Sequence, residues 1–420
     1  MLRLFACLLL LWPLSAAADE WRGHGGPVRA LDVSRDGKEI LSGGFDGASI
    51  LWNAANGAAK NVLNFHAGSV DTVAFLPNGD FITGGEDGIV SLWQPGSKSP
   101  VMHWKLHEAR VAALAVAPDG KKFVSAGWDG VVKILASPGT ISELKGHQGP
   151  VNAVRFLPDG RIISGGQDGA LRFWKDGQAS EVIQFPSGIT ALTVLPDGRI
   201  AAGFGDGVVR LIAGDQTVKE LATGSLPVIA LAHSPDGKTL AAAQIRGAVS
   251  LIDVASQKIR GTLVGPGLPV WSLVIMPDNA TLITGGGDRM IRRWNMSTGE
   301  PVGALPIAKT TDEMAAYADD PGAKIYRACI ACHTLKRAEG PRAGPSLEGI
   351  FGRKIGTEKG YAYSDALKGK DLIWTPETVS KLFEVGPAHY LPGTKMPEQT
   401  IGNAQDRAAL IQFLEKATKN

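Results

Sequence analysis

Cysteine is nearly absent from this 420-residue chain: there are three, one of them at position 7. A fold stapled by disulfides is therefore not expected. An excess of one charge is missing too. Against 43 Lys and Arg stand 41 Asp and Glu, and a net charge of +2 gives no footprint for nucleic acid. After the first 14 residues no apolar run approaches the ~20 residues needed to span a bilayer. Glycine is plentiful, at 53 residues. It recurs in short turns at regular intervals, which is a β signature.

The first residues are Met1-Leu2-Arg3, an apolar run over 4–14, then Ser15-Ala16-Ala17-Ala18 and Asp19-Glu20. A basic start, a short apolar stretch and small residues at the end make a secretory signal peptide over 1–18, with cleavage after Ala18. The run is too short for a membrane anchor. The chain is thus expected to be exported, periplasmic in a bacterium, with no membrane span after cleavage.

The other two cysteines stand in Cys329-Ile330-Ala331-Cys332-His333. C-x-x-C-H is the attachment sequence of a c-type haem: two thiols add to the vinyl groups, and the histidine binds the iron as axial ligand. A structural zinc site needs about four ligands, and no second cysteine pair exists. A thioredoxin-like pair would need a βαβ context that is not visible, and a plain disulfide would not need His333. One covalently bound haem c is expected. Between His333 and the chain's last helical stretch the second axial ligand could be His389 or Met396. Met396 lies in Leu391-Pro392-Gly393-Thr394-Lys395-Met396-Pro397, a proline-pinned loop that could hold a soft thioether on iron rather than pack it in a core, and it is preferred.

The region before this motif repeats. Asp36-Gly37 recurs as Asn78-Gly79, Asp119-Gly120, Asp159-Gly160, Asp197-Gly198, Asp236-Gly237 and Asp278-Asn279, at intervals of 38 to 42 residues. A fixed period near 40 means a propeller or a solenoid. Each unit reads as short strands between Asp-Gly turns: 151–157, the turn Pro158-Asp159-Gly160, 161–164, the turn 165–169, and 170–174. The seven units resemble the WD-repeat β-propellers over roughly 22–307. Gly23-His24 and Gly146-His147 open repeats, and His66 and His107 hold the same place. Turn aspartates are Asp46, Asp87, Asp129, Asp168, Asp206 and Asp288, with Trp52, Trp93, Trp174 and Trp294 six residues later. The resemblance implies buried His–Ser/Thr–Asp–Trp tetrads, complete in His24-Ser42-Asp46-Trp52, His66-Thr83-Asp87-Trp93 and His147-Ser164-Asp168-Trp174. Leu135 replaces the tryptophan of the third repeat. Repeats five and six lose most of the set, with Arg246 near the sixth aspartate position, and are expected to hold by packing. The last blade's fourth strand is expected from 300–307, with the question of which chain end seals the ring left open. With the repeat histidines so used and His103 and His233 isolated, no metal site is expected in the propeller, and no catalytic triad stands out.

After 307 the repeat ends, 308–319 reads as a linker, and the periodicity turns helical. Asp319-Asp320-Pro321 opens a helix expected to carry the cysteines, and a last helix runs over about 404–417. Residues 320–418 resemble class I, mitochondrial-like cytochrome c. The matching segments are Gly344-Pro345-Ser346-Leu347, Ile350-Phe351-Gly352-Arg353-Lys354, Gly360-Tyr361-Ala362-Tyr363-Ser364-Asp365-Ala366, Ile373-Trp374 and Pro392-Gly393-Thr394-Lys395-Met396. The resemblance implies that the Pro345 carbonyl accepts the His333 ring N–H, that Arg353, Tyr363 and Trp374 surround the haem propionates, that Thr394 steadies the methionine loop, and that Gly322 and Phe413 mark a helix crossing. Phe383 and Leu367 stand where the family has polar groups, so a drier pocket is expected. Ala328, Ala388 and His389 stand at positions of the family's lysine ring, leaving Lys395 and Arg342 as docking cations and weak steering toward an acidic partner.

The fold class expected is thus multidomain: an all-β seven-bladed propeller over 19–307, then an all-α class I cytochrome c domain over 320–420. Ligation by His333 and Met396 would fill the iron's six positions and leave single-electron transfer as the activity. Redox partner proteins would dock through the propeller. Two other functions stay open: a periplasmic redox enzyme subunit with a further cofactor in the propeller, and a redox-sensing scaffold.

Overall fold

The structure is a computed structural model that describes residues 20–136, 139–175, 177–214, 218–264, 268–302, 314–330, 332–361, 363–364, 366–394, 396 and 399–419. The expected leader, its cleavage point, residues 308–313 of the expected linker and Lys395 lie outside the described residues.

Seven four-stranded antiparallel sheets follow one another along the described chain. Blade 1 comprises Val28–Val33, Glu39–Gly44, Ala48–Asn53 and Ala59–Asn64. Blade 4 comprises Val151–Phe156, Ile162–Gly166, Ala170–Lys175 and Gln178–Gln184. Blade 5 comprises Ile189–Val194, Ile200–Phe204, Val208–Ile212 and Val218–Ala222. The first hairpin of each blade needs a residue in the left-handed region. Glycine supplies it six times, as at Gly160 (φ 85°), and Asn279 supplies it in blade 7 (φ 58°).

Blades stack because each second strand carries a residue too small to keep the next blade away. A Cβ on Gly43 would collide with Val70, on Gly84 with Val111, on Gly165 with Ile189, and on Gly203 with Val228. The last of the series, Gly285, meets Val28 of blade 1, so the same contact closes the ring. Burying these β-branched side chains stabilises each interface by about 1.5–3 kcal/mol per residue.

The ring's seam, which the sequence left open, draws on both ends of the propeller chain. The fourth strand of blade 7 is Glu20–Trp21, paired with Ile291–Asn295 as Glu20↔Arg292 and Trp21↔Ile291. Of 300–307, residues 303–307 lie outside the described residues. The rest pairs further along the same edge, through the bridge Trp294↔Pro301 and the Val302 N–H donated to the Arg293 carbonyl at 2.9 Å. The N-terminal pair is anchored by Trp21, which is 3 % exposed and packs on Trp52 at 5.9 Å.

The tetrads form as the resemblance implied. In blade 4 the Trp174 indole N–H donates to Ser164 Oγ (2.8 Å), Ser164 Oγ lies 2.8 Å from His147 Nε2, and His147 Nδ1 lies 3.0 Å from Asp168. Blades 1 and 2 repeat this, and in blade 3 His107, Ser125 and Asp129 bond without a tryptophan.

Beyond the propeller lie helices α1 (Pro321–Tyr326), α2 (Pro376–Val385), α3 (Pro387–Tyr390) and α4 (Ala404–Ala417), with two 3-10 turns. Asp320 caps α1 through the amides of Gly322 and Ala323. Gly322 lets α1 cross α4, since a Cβ there would enter the Ala409 carbonyl and Phe413. Phe413 packs on Tyr326 (5.4 Å) and Tyr317 (5.1 Å), so one apolar cluster joins both ends of the domain. No helix among the described residues is long and apolar enough to cross a membrane.

Candidate haem site

The cysteines do not ride on α1 itself, as expected from sequence. The regular helix ends at Tyr326, and the chain tightens into three-residue turns: Ala328 N–H donates to the Ile325 carbonyl, Cys329 N–H to Tyr326, and Cys332 N–H to Cys329. These turns bring Cys329, Cys332 and His333 to one cavity of about 290 Å³. All nine residues proposed from sequence line it. With those three stand Pro345, Arg353, Tyr363 and Trp374 from the following segments, and Thr394 and Met396 from the loop after α3.

His333 Nδ1 lies 2.8 Å from the Pro345 carbonyl oxygen. A carbonyl can only accept, so Nδ1 carries the proton and Nε2 keeps its lone pair. Burial holds the imidazole below the usual histidine range, which preserves that neutral form. Burial also pushes the thiols up, Cys329 to about 11, and Cys332 to about 12 with a further contribution from Asp46. Uncharged sulfur is what such surroundings favour.

Met396 is half-buried and packs against the domain's core cluster while it lines the cavity. Its loop is not the polar outlier that the sequence suggested. Thr394 Oγ1 accepts the Met396 amide at 3.2 Å, and Thr394 N–H donates to Leu391 at 2.9 Å. Leu367 and Phe383 also face the cavity.

Arg353 reaches the cavity, but its guanidinium is already engaged. It pairs with Glu358 and donates to the carbonyls of Ser346 (2.8 Å) and Glu348 (3.1 Å). Glu358 is 6 % exposed and also holds Arg337 at 2.7 Å. Tyr361 donates its hydroxyl to the Ala343 carbonyl (2.6 Å), and burial raises its phenol well above the usual range. Arg342, expected as a docking cation, is 8 % exposed and donates to the Ile330 and His333 carbonyls. Two main-chain acceptors near His333 outcompete solvent for it.

The propeller completes the wall. Gly25, Asp46, Asn64 and Arg289 line the same cavity. The Ala343 amide donates to the Gly23 carbonyl across the domain boundary at 2.9 Å, and a Cβ on Gly25 would fall within the Cys332 sulfur. Burial works to raise the Asp46 carboxyl, but His24 and the amides of Ala48 and Gly25 outweigh it and hold it below its ordinary value. Sequence reasoning missed these four residues, because docking between domains has no local pattern. One signal was available: the turn Asp-Gly of blades 1 to 5 becomes Asp288-Arg289 in blade 7.

The donor set fits a c-type haem. A neutral imidazole with a free lone pair, a thioether and two uncharged sulfurs face one largely apolar cavity. The buried Asn64 Nδ2, also on its wall, has no hydrogen-bond partner among the described residues.

Comparison with known proteins defines the class first. Residues 18–53, 57–94, 98–134, 139–175 and 257–295 match the WD domain, G-beta repeat. Residues 320–418 match the family Cytochrome c. Over 99 residues, 23 % of this chain, it is 46 % identical to cytochrome c of Cochliobolus lunatus, covering 91 % of that protein. It is likewise 46 % identical to cytochrome c of Arabidopsis thaliana over 88 % of that protein, and 40 % identical to that of Gibberella zeae over 92 %. The chain belongs to the cytochrome c family, with a WD40 propeller ahead of the cytochrome domain. Such relatives imply a haem c cofactor.

Proposed function

We propose that this protein is an exported carrier of single electrons, with one covalently attached haem c in a class I domain and a propeller that docks redox partners. Bound haem supplies a reversible one-electron change at iron. Cys329 and Cys332 would attach the porphyrin, and His333 and Met396 would hold the iron. The Pro345 carbonyl fixes the His333 ring and its tautomer. Thr394 ties the Met396 amide, so the thioether is presented by a loop with few free conformations. Arg353, Tyr363 and Trp374 would face the propionates, with Glu358 holding Arg353 in place. The apolar wall of Leu367 and Phe383 excludes water from that side.

One observation carries this proposal: a neutral His333, its Nδ1 spent on Pro345, lines the same buried cavity as Met396 and both cysteines. The ferric holoprotein should absorb weakly in the far red, from sulfur-to-iron charge transfer, and should not take up carbon monoxide when reduced. Met396→Ala should lose the band and gain carbon monoxide binding. A wild-type protein that binds carbon monoxide readily at neutral pH would overturn the ligation.

The propeller's place in the cavity wall favours a second function, a redox-sensing scaffold. Its partner would then bind the ferric and ferrous forms with different affinity, whereas a plain carrier's partner would not.

A further inference from the structure

Position 289 is the residue after the turn aspartate position, and the other six blades have glycine there: Gly47, Gly88, Gly130, Gly169, Gly207 and Gly247. All six have positive φ. Arg289 adopts the same left-handed backbone, φ 72°, although it has a Cβ. A non-glycine residue there is strained, by about 1 kcal/mol. Nothing in the blade requires the exchange, since Gly286 accepts the Arg289 amide just as the corresponding residues do in the other turns.

What sets blade 7 apart is its neighbour. Arg289 is exposed at the mouth of the cavity that holds Cys332 and His333. Its guanidinium has no hydrogen bond or ion pair among the described residues, whereas nearby Arg292 is engaged by Glu20 at 2.8 Å and Asp288 at 2.6 Å. The two cations that act on His333 are both engaged, Arg342 with carbonyls and Arg353 with Glu358. Across the mouth the propeller also presents Asp46, and the two charges act on the Cys332 sulfur with opposite sign.

We propose that Arg289 is a potential-setting residue of the haem site, supplied by the propeller rather than by the cytochrome domain. This rests on the haem reading above. Reduction lowers the charge at the iron by one, so a cation at the cavity mouth favours the reduced state. Arg289 also offsets Asp46, whose carboxylate favours the oxidised state. The strained turn keeps the guanidinium beside the cavity, and glycine would remove that positive charge from its mouth.

The test uses the full-length holoprotein equilibrated with a redox buffer of fixed potential. Arg289→Gly should lower the ratio of reduced to oxidised haem about threefold or more. Arg289→Lys should stay near wild type, and Arg289→Glu should fall further. The differences should shrink as salt is raised, because the site is exposed. Thermal stability should hold or rise in Arg289→Gly, since the backbone there suits glycine, and that separates an electrostatic role from a structural one. Lys219→Gln, which removes a cation on the outer strand of blade 5, should change nothing. Folded variants with the wild-type ratio would overturn the proposal, as would an equal shift in Lys219→Gln. A wild-type spectrum without the far-red band would instead overturn Met396 ligation, which the Arg289 series does not measure.

Discussion

Blades 4 and 5 have the same strand order and the same turns, yet they are held together by different means. In blade 4 the centre is a polar chain from Trp174 through Ser164 and His147 to Asp168. In blade 5 the corresponding positions are Ile212, Ala202, Phe185 and Asp206. There Phe185 packs edge-on against Phe204 at 5.0 Å, and the Arg210 guanidinium lies 4.3 Å from the Phe204 ring centroid. The buried Arg210 in turn pairs with two surface carboxylates, Asp206 (3.1 Å) and Glu220 (2.8 Å). Blade 6 goes further, with Ala241, Ala242 and Ala243 fully buried. The fold asks only that the space between the second and third strands be filled. A satisfied polar chain and an apolar cluster both fill it, but they differ in how they fail.

The comparison can be broken at several points, taken from the largest effect down. Where neither device closes the ring, the seam depends on Trp21, so Trp21→Ala should cost about 3–5 kcal/mol in denaturant unfolding. A loss under about 1 kcal/mol would show that blade contacts alone seal it. Ser164→Ala should cost about 2–3 kcal/mol, because it strands two buried partners, the Trp174 N–H and His147 Nε2. The mirror change in blade 5, Ala202→Ser, should cost about 1–2 kcal/mol by burying a hydroxyl among apolar neighbours. If both changes prove neutral, the distinction between the blades is empty.

Acid should strike the polar blades selectively. Burial holds His107 and His147 below the usual histidine value, and Asp129 and Asp168 offset this only in part. The unfolded chain therefore takes up protons first as pH falls. Stability is complete above about pH 6.5 and declines below it, by at most ~1.4 kcal/mol per pH unit for each histidine, until the folded-state values are reached. Urea midpoints at pH 7 and pH 5.5 measure this, and equal midpoints would contradict it. The smallest effect is expected at Arg210→Met. It keeps the stem over Phe204 and leaves only surface carboxylates unpaired, so stability should change by less than about 1 kcal/mol. A larger loss would mean that blade 5, too, depends on its charges.

Much of this was legible before any coordinates, and the reasons are local. The Asp-Gly turns give the period, because left-handed backbone selects glycine wherever it occurs. The tetrads of blades 1, 2 and 4 follow from residue types at fixed offsets, and Asp320-Pro321 with Gly322 fixes the start of α1 and its crossing. Which end seals the ring was not legible because two short segments share the edge of one strand, and only the burial of Trp21 shows which is anchored. Arg342 looked like a surface cation because nothing in its sequence reveals the carbonyls of Ile330 and His333 waiting for it.

The sequence by itself determined the residues proposed to bind and hold a haem, since attachment and ligation would depend on atom types at short spacing within one segment or on one loop. Only the tertiary structure decided what surrounds them: Glu358 behind Arg353, and Gly25, Asp46, Asn64 and Arg289 brought across from another domain. The contacts from Gly25, Asp46 and Asn64 join residues hundreds of positions apart. They depend on how two finished surfaces fit, which no short stretch of chain encodes.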